Sequence, residues 1–371
     1  MTAVGADAAA HTRGEERRAM GVAGGAHALH DGYTDLIYVM LPIWQVEFGL
    51  SYAAIGLLRG MFAGTMAGFQ IPAGLLSERL GVPLVLAAGT ALAGLGYCLA
   101  PLVGSYPGLI AILLIAGLGA STQHPLASAL VARAFAGPRS LGALGTYNFA
   151  GDLGKMALPA AAALLLVLMP WRPTLALLGA IGLAAALVIL AVTPRYAAEA
   201  VKADAKPEAA SGQARGGFPT LLSIGVIDSA TRMGFLTFLP FLLTAKGAAL
   251  PTIGLALTLV FLGGAFGKLA CAWIGARIGV VATVWVTEGF TALGILALLP
   301  LPLELALALL PVIGVALTAL RRCCAARCRA WSRRRRARAP SASSTPARSG
   351  RARSRRSSMD WWVMRSACRW H

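Results

Sequence analysis

The residues best able to do chemistry in this sequence are ionisable side chains set inside long apolar runs. The stretch HALHDGYTD carries His27, His30, Asp31 and Asp35. Asp31 and Asp35 are four apart, the spacing that makes two side chains neighbours on one helix face. An ionisable residue inside a bilayer costs about 2.5 to 3.5 kcal/mol on the insertion scale, so each needs a reason to persist. Burial and a nearby like charge both favour the protonated carboxyl group, which is the condition for taking up and releasing a proton near neutral pH. A proton-coupling acid is therefore expected here, Asp35 being favoured for its deeper position. The alternative is that this segment lies at the membrane interface, where an acid is cheap.

Two further segments repeat the theme. Asp152 and Lys155 are three apart, with Asn148 one turn earlier, among Gly142, Gly145, Gly151 and Gly154; small residues of this kind let helices approach closely. The pair reads either as a structural intramembrane ion pair or as a cavity-facing pair that exchanges partners with substrate or proton. Asp228 and Arg232 stand at i, i+4, and Lys268 could compete for the same acids. The expected proton-coupling set is thus Asp31, Asp35, Asp152 and Asp228. The expected substrate-cavity set is His30, His124, Asn148, Lys155, Arg232 and Lys268. His124 stands beside Pro125, which interrupts backbone hydrogen bonding and can open a cavity; a hydrogen-bonded histidine with no relay role is the plainer reading. For Arg59 and Glu288, structural pairing or interfacial snorkelling is expected.

The elements that hold these residues follow from composition. The 371 residues are 57% hydrophobic and 13% charged, against about a quarter charged in soluble domains. Apolar runs fall near 29–50, 52–73, 82–103, 107–132, 141–168, 173–193, 218–244, 250–273, 280–300 and 302–320. Each approaches the roughly 20 residues that cross a bilayer core. Backbone in lipid must satisfy itself, and the short alternating segments of a barrel are missing, so the runs predict ten helices. Residues 194–217 are polar and Ala-rich and predict a cytoplasmic linker, dividing a six-helix half (27–193) from a four-helix half (218–320). Residues 1–26 lack the apolar core of a cleaved signal and predict a cytoplasmic N-terminal segment, in keeping with basic residues in alternate loops.

An internal repeat at an offset of 198 residues ties the halves together. Leu41-Pro42 matches Leu239-Pro240, Gly49 matches Gly247, Ile55-Gly56-Leu57 matches Ile253-Gly254-Leu255, and Arg79, Gly81 and Val82 match Arg277, Gly279 and Val280. Parallel repeats about an axis along the membrane normal are the organisation of major facilitator transporters.

The residues also carry a family resemblance. GLLSERLGVPL resembles the Gly-x-x-x-acid-Arg-x-Gly loop motif of the major facilitator superfamily, with Gly74, Glu78, Arg79 and Gly81 at its positions. WIGARIG, with Arg277 and Gly279, is the second-half echo, though Ala276 stands where Glu78 does. HALHDGYTD, STQHPLASALVARAF, YNFAGDLGK and IDSATRMGFLTFLPFLL resemble the fosmidomycin-resistance-type branch of drug exporters. The likeness covers roughly residues 26–320. It implies an all-α major facilitator fold, ten of whose usual twelve spans are recognisable. The implied activity is proton-coupled efflux of small organic molecules by alternating access in a bacterial inner membrane. It assigns the loop motif a role in holding one conformer of the cycle.

Other functions have little support. The sequence has no GxxxxGK[ST] phosphate loop, HExxH or paired CxxC, so neither an enzyme, a cofactor nor a metal is expected. The expected partners are a small-molecule substrate, protons and the lipid bilayer, for a monomeric chain. The formal charge of +18 suggests nucleic acid, but residues 321–371 hold 16 Arg against one acid, whereas residues 1–320 hold 17 basic and 14 acidic residues. Two alternatives remain: a truncated membrane protein that inserts without transporting, and a membrane-anchored binder of anionic lipid or nucleic acid through the Arg-rich tail. The abrupt change after VIGVALTAL predicts that residues 321–371 are an out-of-frame, unstructured translation. Starting each triplet at the third base of the preceding codon, Met359-Asp360-Trp361-Trp362-Val363 can encode only Gly-Leu-Val-Gly.

Overall fold

The computed structural model describes residues 12–135, 139–194, 217–278 and 280–318, and every regular element among them is helical. The helices are α1 (Arg13–Phe48), α2 (Tyr52–Gly68), α3 (Gln70–Leu80), α4 (Val82–Leu99), α5 (Tyr106–Ala120), α6 (Gln123–Ala134), α7 (Arg139–Leu168), α8 (Trp171–Val192), α9 (Gly217–Ala245), α10 (Leu250–Ile278), α11 (Val280–Leu298) and α12 (Leu303–Thr318). The ten apolar runs fall on these elements, α2–α3 and α5–α6 each forming one run. Among the described residues six spans, α1 not being one of them, are both long and apolar enough to cross a bilayer. The Arg-rich tail and Gly279 lie outside the described residues.

The chain divides into two compact units. One holds the described residues within Met1–Val201 together with Ala249–Thr258, and the other those within Lys202–Ala248 and Leu259–His371. The first unit holds all the histidines of the described residues. Its α1 starts well before the apolar run predicted it: Thr12 and Glu15 form a capping box, the Glu15 amide donating to Thr12 Oγ1 and the Thr12 amide to Glu15 Oε2. α1 is 36 residues long, about 54 Å at 1.5 Å per residue. Ion pairs fasten it at both ends, Arg139 Nη2 to Glu16 Oε2 at 2.8 Å and Arg172 Nη1 to Glu47 Oε1 at 2.7 Å.

Close helix approach in this unit is made by glycine. A Cβ on Gly154 would run into the Ala28 carbonyl, and one on Gly32 would meet Leu158 at 2.8 Å, so α1 and α7 touch backbone to side chain. Gly94 and Gly179 do the same for α4 and α8. A second layer of tyrosine hydrogen bonds crosses the bundle: Tyr33 Oη donates to the Leu178 carbonyl at 2.5 Å and Tyr97 Oη to the Tyr33 carbonyl at 2.6 Å.

The repeat is visible in local geometry. Pro42 lies inside α1 and Pro240 inside α9, and the matched Gly49 and Gly247 that follow have φ of 62° and 88°. Left-handed backbone here favours glycine and ends each helix. Gly81, with φ 83°, makes the corresponding turn between α3 and α4. In the second unit, Gly263, Gly267 and Gly314 would each clash through a Cβ with Pro311, Val315 or Val260, so α10 and α12 are in backbone contact. Lys246 Nζ donates to the carbonyls of Leu299 and Leu301, tying the end of α9 to the α11–α12 turn.

Candidate functional site

The midpoint of α1 is where the ionisable residues converge. Asp31 lies halfway between Glu16 and Glu47, about 23 Å along the helix from each. Asp31 is therefore central along α1.

Three helices build the cluster. α1 supplies His27, His30 and Asp31 on one face, by their spacing of three and four. α7 supplies Tyr147 and Lys155. α6 supplies His124 at its first turn, because the α5–α6 span breaks there: Ser121 Oγ turns back on the Leu118 carbonyl (2.6 Å) and Thr122 Oγ1 on the Gly119 carbonyl (3.1 Å). The break stands just before Pro125, whose missing amide belongs to a first turn with no intrahelical partner to lose. Gln123 Nε2 then donates to Thr90 Oγ1 at 2.5 Å, anchoring the break to α4.

Asp31 is the hub. Lys155 Nζ stands 3.0 Å from its Oδ2 and His27 Nε2 3.2 Å from the same oxygen; His30 Nε2 and His124 Nε2 lie 3.8 and 3.9 Å from Oδ1. Lys155 thus reaches across to Asp31 on α1, a partner additional to the Asp152 that the spacing offers on its own helix. His30 Nε2 and His124 Nε2 are 3.3 Å apart. His27 is fixed from behind: its Nδ1 is 3.0 Å from the Tyr147 carbonyl and its ring stacks on the Tyr147 ring at 4.1 Å. Gly151 is what lets α7 come this near, since a Cβ there would sit 2.6 Å from His27 Cε1 and 2.7 Å from Asp31 Oδ2.

The remaining predicted residues take varied positions. Asp35 and Asp152 are buried in the first unit and Asp228 in the second, where Glu288 lies within electrostatic range of it. Asn148 is exposed and donates to the Leu144 carbonyl at 2.8 Å, so it is not part of the cluster. Arg232 is half-buried, and the side chain of Lys268 lies outside what is described. Glu78, Arg79 and Arg277 are exposed. Arg59 has the expected structural role: it is buried, donates from Nη2 to Tyr38 Oη at 3.0 Å and lies over the Tyr38 and Phe62 rings. Sequence reasoning left Tyr147 out and gave His27 no role. The i, i+4 spacing of His27 to Asp31 and of Tyr147 to Gly151 was the available signal.

Ionisable clusters inside helical membrane bundles commonly mark the path of substrate or ions. The chain belongs to the Major Facilitator Superfamily, whose family model matches residues 24–219. It is 29% identical over 164 residues to the fosmidomycin resistance protein of Escherichia coli (strain K12), covering 43% of this chain and 40% of that protein's length. Its fold is similar to the crystal structures of a bacterial homolog of the human lysosomal transporter Spinster. In the inward-facing, unoccupied form the TM-score is 0.66 at 17% identity, over 86% of this chain and 76% of the other. In the occupied form it is 0.67 at 17% identity, over 85% and 74%. The all-helical major facilitator fold expected from the repeat is therefore the fold of the chain.

Proposed function

We propose that the chain exports small organic molecules across a bacterial inner membrane in exchange for protons, by alternating access of two halves. The observation that carries this reading is Asp35, 3% exposed and one helical turn from Asp31. Asp31 has its charge compensated by Lys155. A buried carboxyl group must carry either a proton or a counter-cation, so Asp35 can trade one for the other as access to it changes. Asp152 and Asp228 are the further buried acids of this set. His30, His124, Lys155 and Arg232 offer donors to a polar substrate group. The similarity to a resistance protein over 43% of the chain supports a drug-like substrate. The halves are residues 27–193 and 218–320 about a linker at 194–217, the N-terminus is cytoplasmic and the chain works as a monomer. Gly74, Glu78, Arg79 and Gly81, echoed by Arg277 and Gly279, hold one conformer of the cycle.

The test is drug-dependent proton flux in everted vesicles from a host lacking its own exporters, using a panel that includes fosmidomycin. A compound whose addition releases protons from the acidified lumen, and whose uptake stops when the gradient is collapsed, supports the proposal. Uptake that ignores the gradient for every transported compound removes proton coupling. No uptake of any organic compound removes the export reading.

A further inference from the structure

The hydrogen-bond geometry of the His27–Asp31 pair leaves one question of chemistry open. The Tyr147 carbonyl can only accept, so the Nδ1 3.0 Å from it carries the ring hydrogen. In the neutral ring, Nε2 then presents a lone pair. That nitrogen lies 3.2 Å from Asp31 Oδ2. A lone pair facing a carboxylate in an apolar interior is repulsive unless a proton or a metal ion lies between them. His30 Nε2 and His124 Nε2 face each other at 3.3 Å beside the same carboxylate.

We propose that His27, Asp31 and His124 form a binding site for a divalent transition-metal ion of the Zn2+ class, with His30 within reach as a fourth ligand. One donor atom from each of the first three lies within 4.8 Å of the others. Donors at about 2.0 to 2.1 Å around a tetrahedral ion stand about 3.3 Å apart. The observed separations are 3.2 Å for His27 to Asp31, 3.3 Å for His30 to His124, and 3.8 and 3.9 Å for His30 and His124 to Asp31. Small movements of side chains close the rest.

The donor set fixes the class of ion. Imidazole with one carboxylate suits Zn2+ and its neighbours, whereas Mg2+ and Ca2+ take oxygen ligands. A metal-binding histidine is ordinarily oriented by a carbonyl or carboxylate on its other nitrogen, and the Tyr147 carbonyl supplies that to His27. Lys155 is the competitor: its ammonium group occupies Asp31 Oδ2, and ion binding displaces it. The ion would join α1, α6 and α7. The site does not include Asp35, but it shares His30, His124 and Lys155 with the proposed substrate donors, and its metal binding is tested without transport.

The test uses the purified full chain in lipid nanodiscs, with the affinity tag removed, titrated with Zn2+ by calorimetry and with Mg2+ as the control. The expected result is one saturable Zn2+ per chain, no response to Mg2+, tighter binding in Lys155→Met, and weakening by at least about tenfold in His27→Gln and in His124→Gln, the lower bound for loss of even an outer-sphere partner. X-ray absorption of the Zn2+-loaded wild type should show nitrogen and oxygen at about 2.0 to 2.1 Å without the sulfur shell at about 2.3 Å that Cys323, Cys324, Cys328 or Cys368 would give. A sulfur shell, absence of saturable binding, or unchanged affinity in both histidine variants would overturn the site. If a variant does not fold, the absorption spectrum of the wild type decides.

Discussion

Removing Lys155 should destabilise the N-terminal unit through Asp31, and the size of the effect can be worked from the ion pair. Lys155→Ala leaves the Asp31 carboxylate, 7% exposed, without the ammonium group 3.0 Å from its Oδ2. Breaking a fully buried pair costs about 3 to 5 kcal/mol. Lys155 keeps 25% of its side chain exposed, and solvent screening lowers that figure to about 2 kcal/mol. Asp31→Asn alone takes the carboxylate away from the ammonium group and should cost a similar amount. The double variant leaves neither charge, so its loss should fall short of the sum by about 1 to 2 kcal/mol. Thermal unfolding of the four proteins in one detergent, with a chelator present, measures this. At about 2 to 4 °C per kcal/mol for a compact unit of some 200 residues, each single substitution lowers the midpoint of that unit by roughly 4 to 8 °C. Losses that add within about 0.5 kcal/mol would refute the pairing.

Glycine spacing gives a second test. Gly154→Ala should lower the midpoint by the equivalent of about 1 to 3 kcal/mol, because its Cβ meets the Ala28 carbonyl, whereas Gly142→Ala, with no atom within 4 Å of its Cβ, should be neutral or slightly stabilising. Tyr38→Phe should cost about 1.5 to 3 kcal/mol, since it leaves the buried Arg59 Nη2 without the hydroxyl it donates to; an unchanged melting curve would remove that bond from the account. Resequencing the gene beyond codon 320 should reveal a one-base shift that restores apolar spans, with Gly-Leu-Val-Gly read across residues 359–363. An intact frame, with the Arg-rich tail confirmed by mass spectrometry, would exclude it.

Much of this fold was legible because lipid permits so few structures. The apolar runs and the 198-residue repeat pointed to helices in two halves, and the left-handed Gly49 and Gly247 lie at matched points of that repeat. Helix ends were less legible. α1 begins at Arg13 inside a polar stretch, where hydropathy is silent and only the Thr12-x-x-Glu15 capping box marks the start. For the site, residue types identified the participants, but spacing along one chain cannot say which helices face each other. The i, i+3 relation of Asp152 and Lys155 within α7 is the kind a sequence displays; the approach of Lys155 to Asp31 depends on the α1–α7 contact that Gly151 and Gly154 permit. Asn148 shows the converse, a polar residue one turn from the cluster that bonds its own backbone instead.

The proposed mechanism turns on whether Asp35 exchanges protons for substrate. Asp35→Asn keeps the shape of the side chain and removes the titration. In proteoliposomes made with a transported compound, the variant should retain substrate counterflow, which needs no net proton movement, and lose accumulation driven by a pH gradient. A variant that still accumulates substrate against its gradient in response to pH, at the wild-type level, would contradict the assignment of Asp35 as the coupling acid.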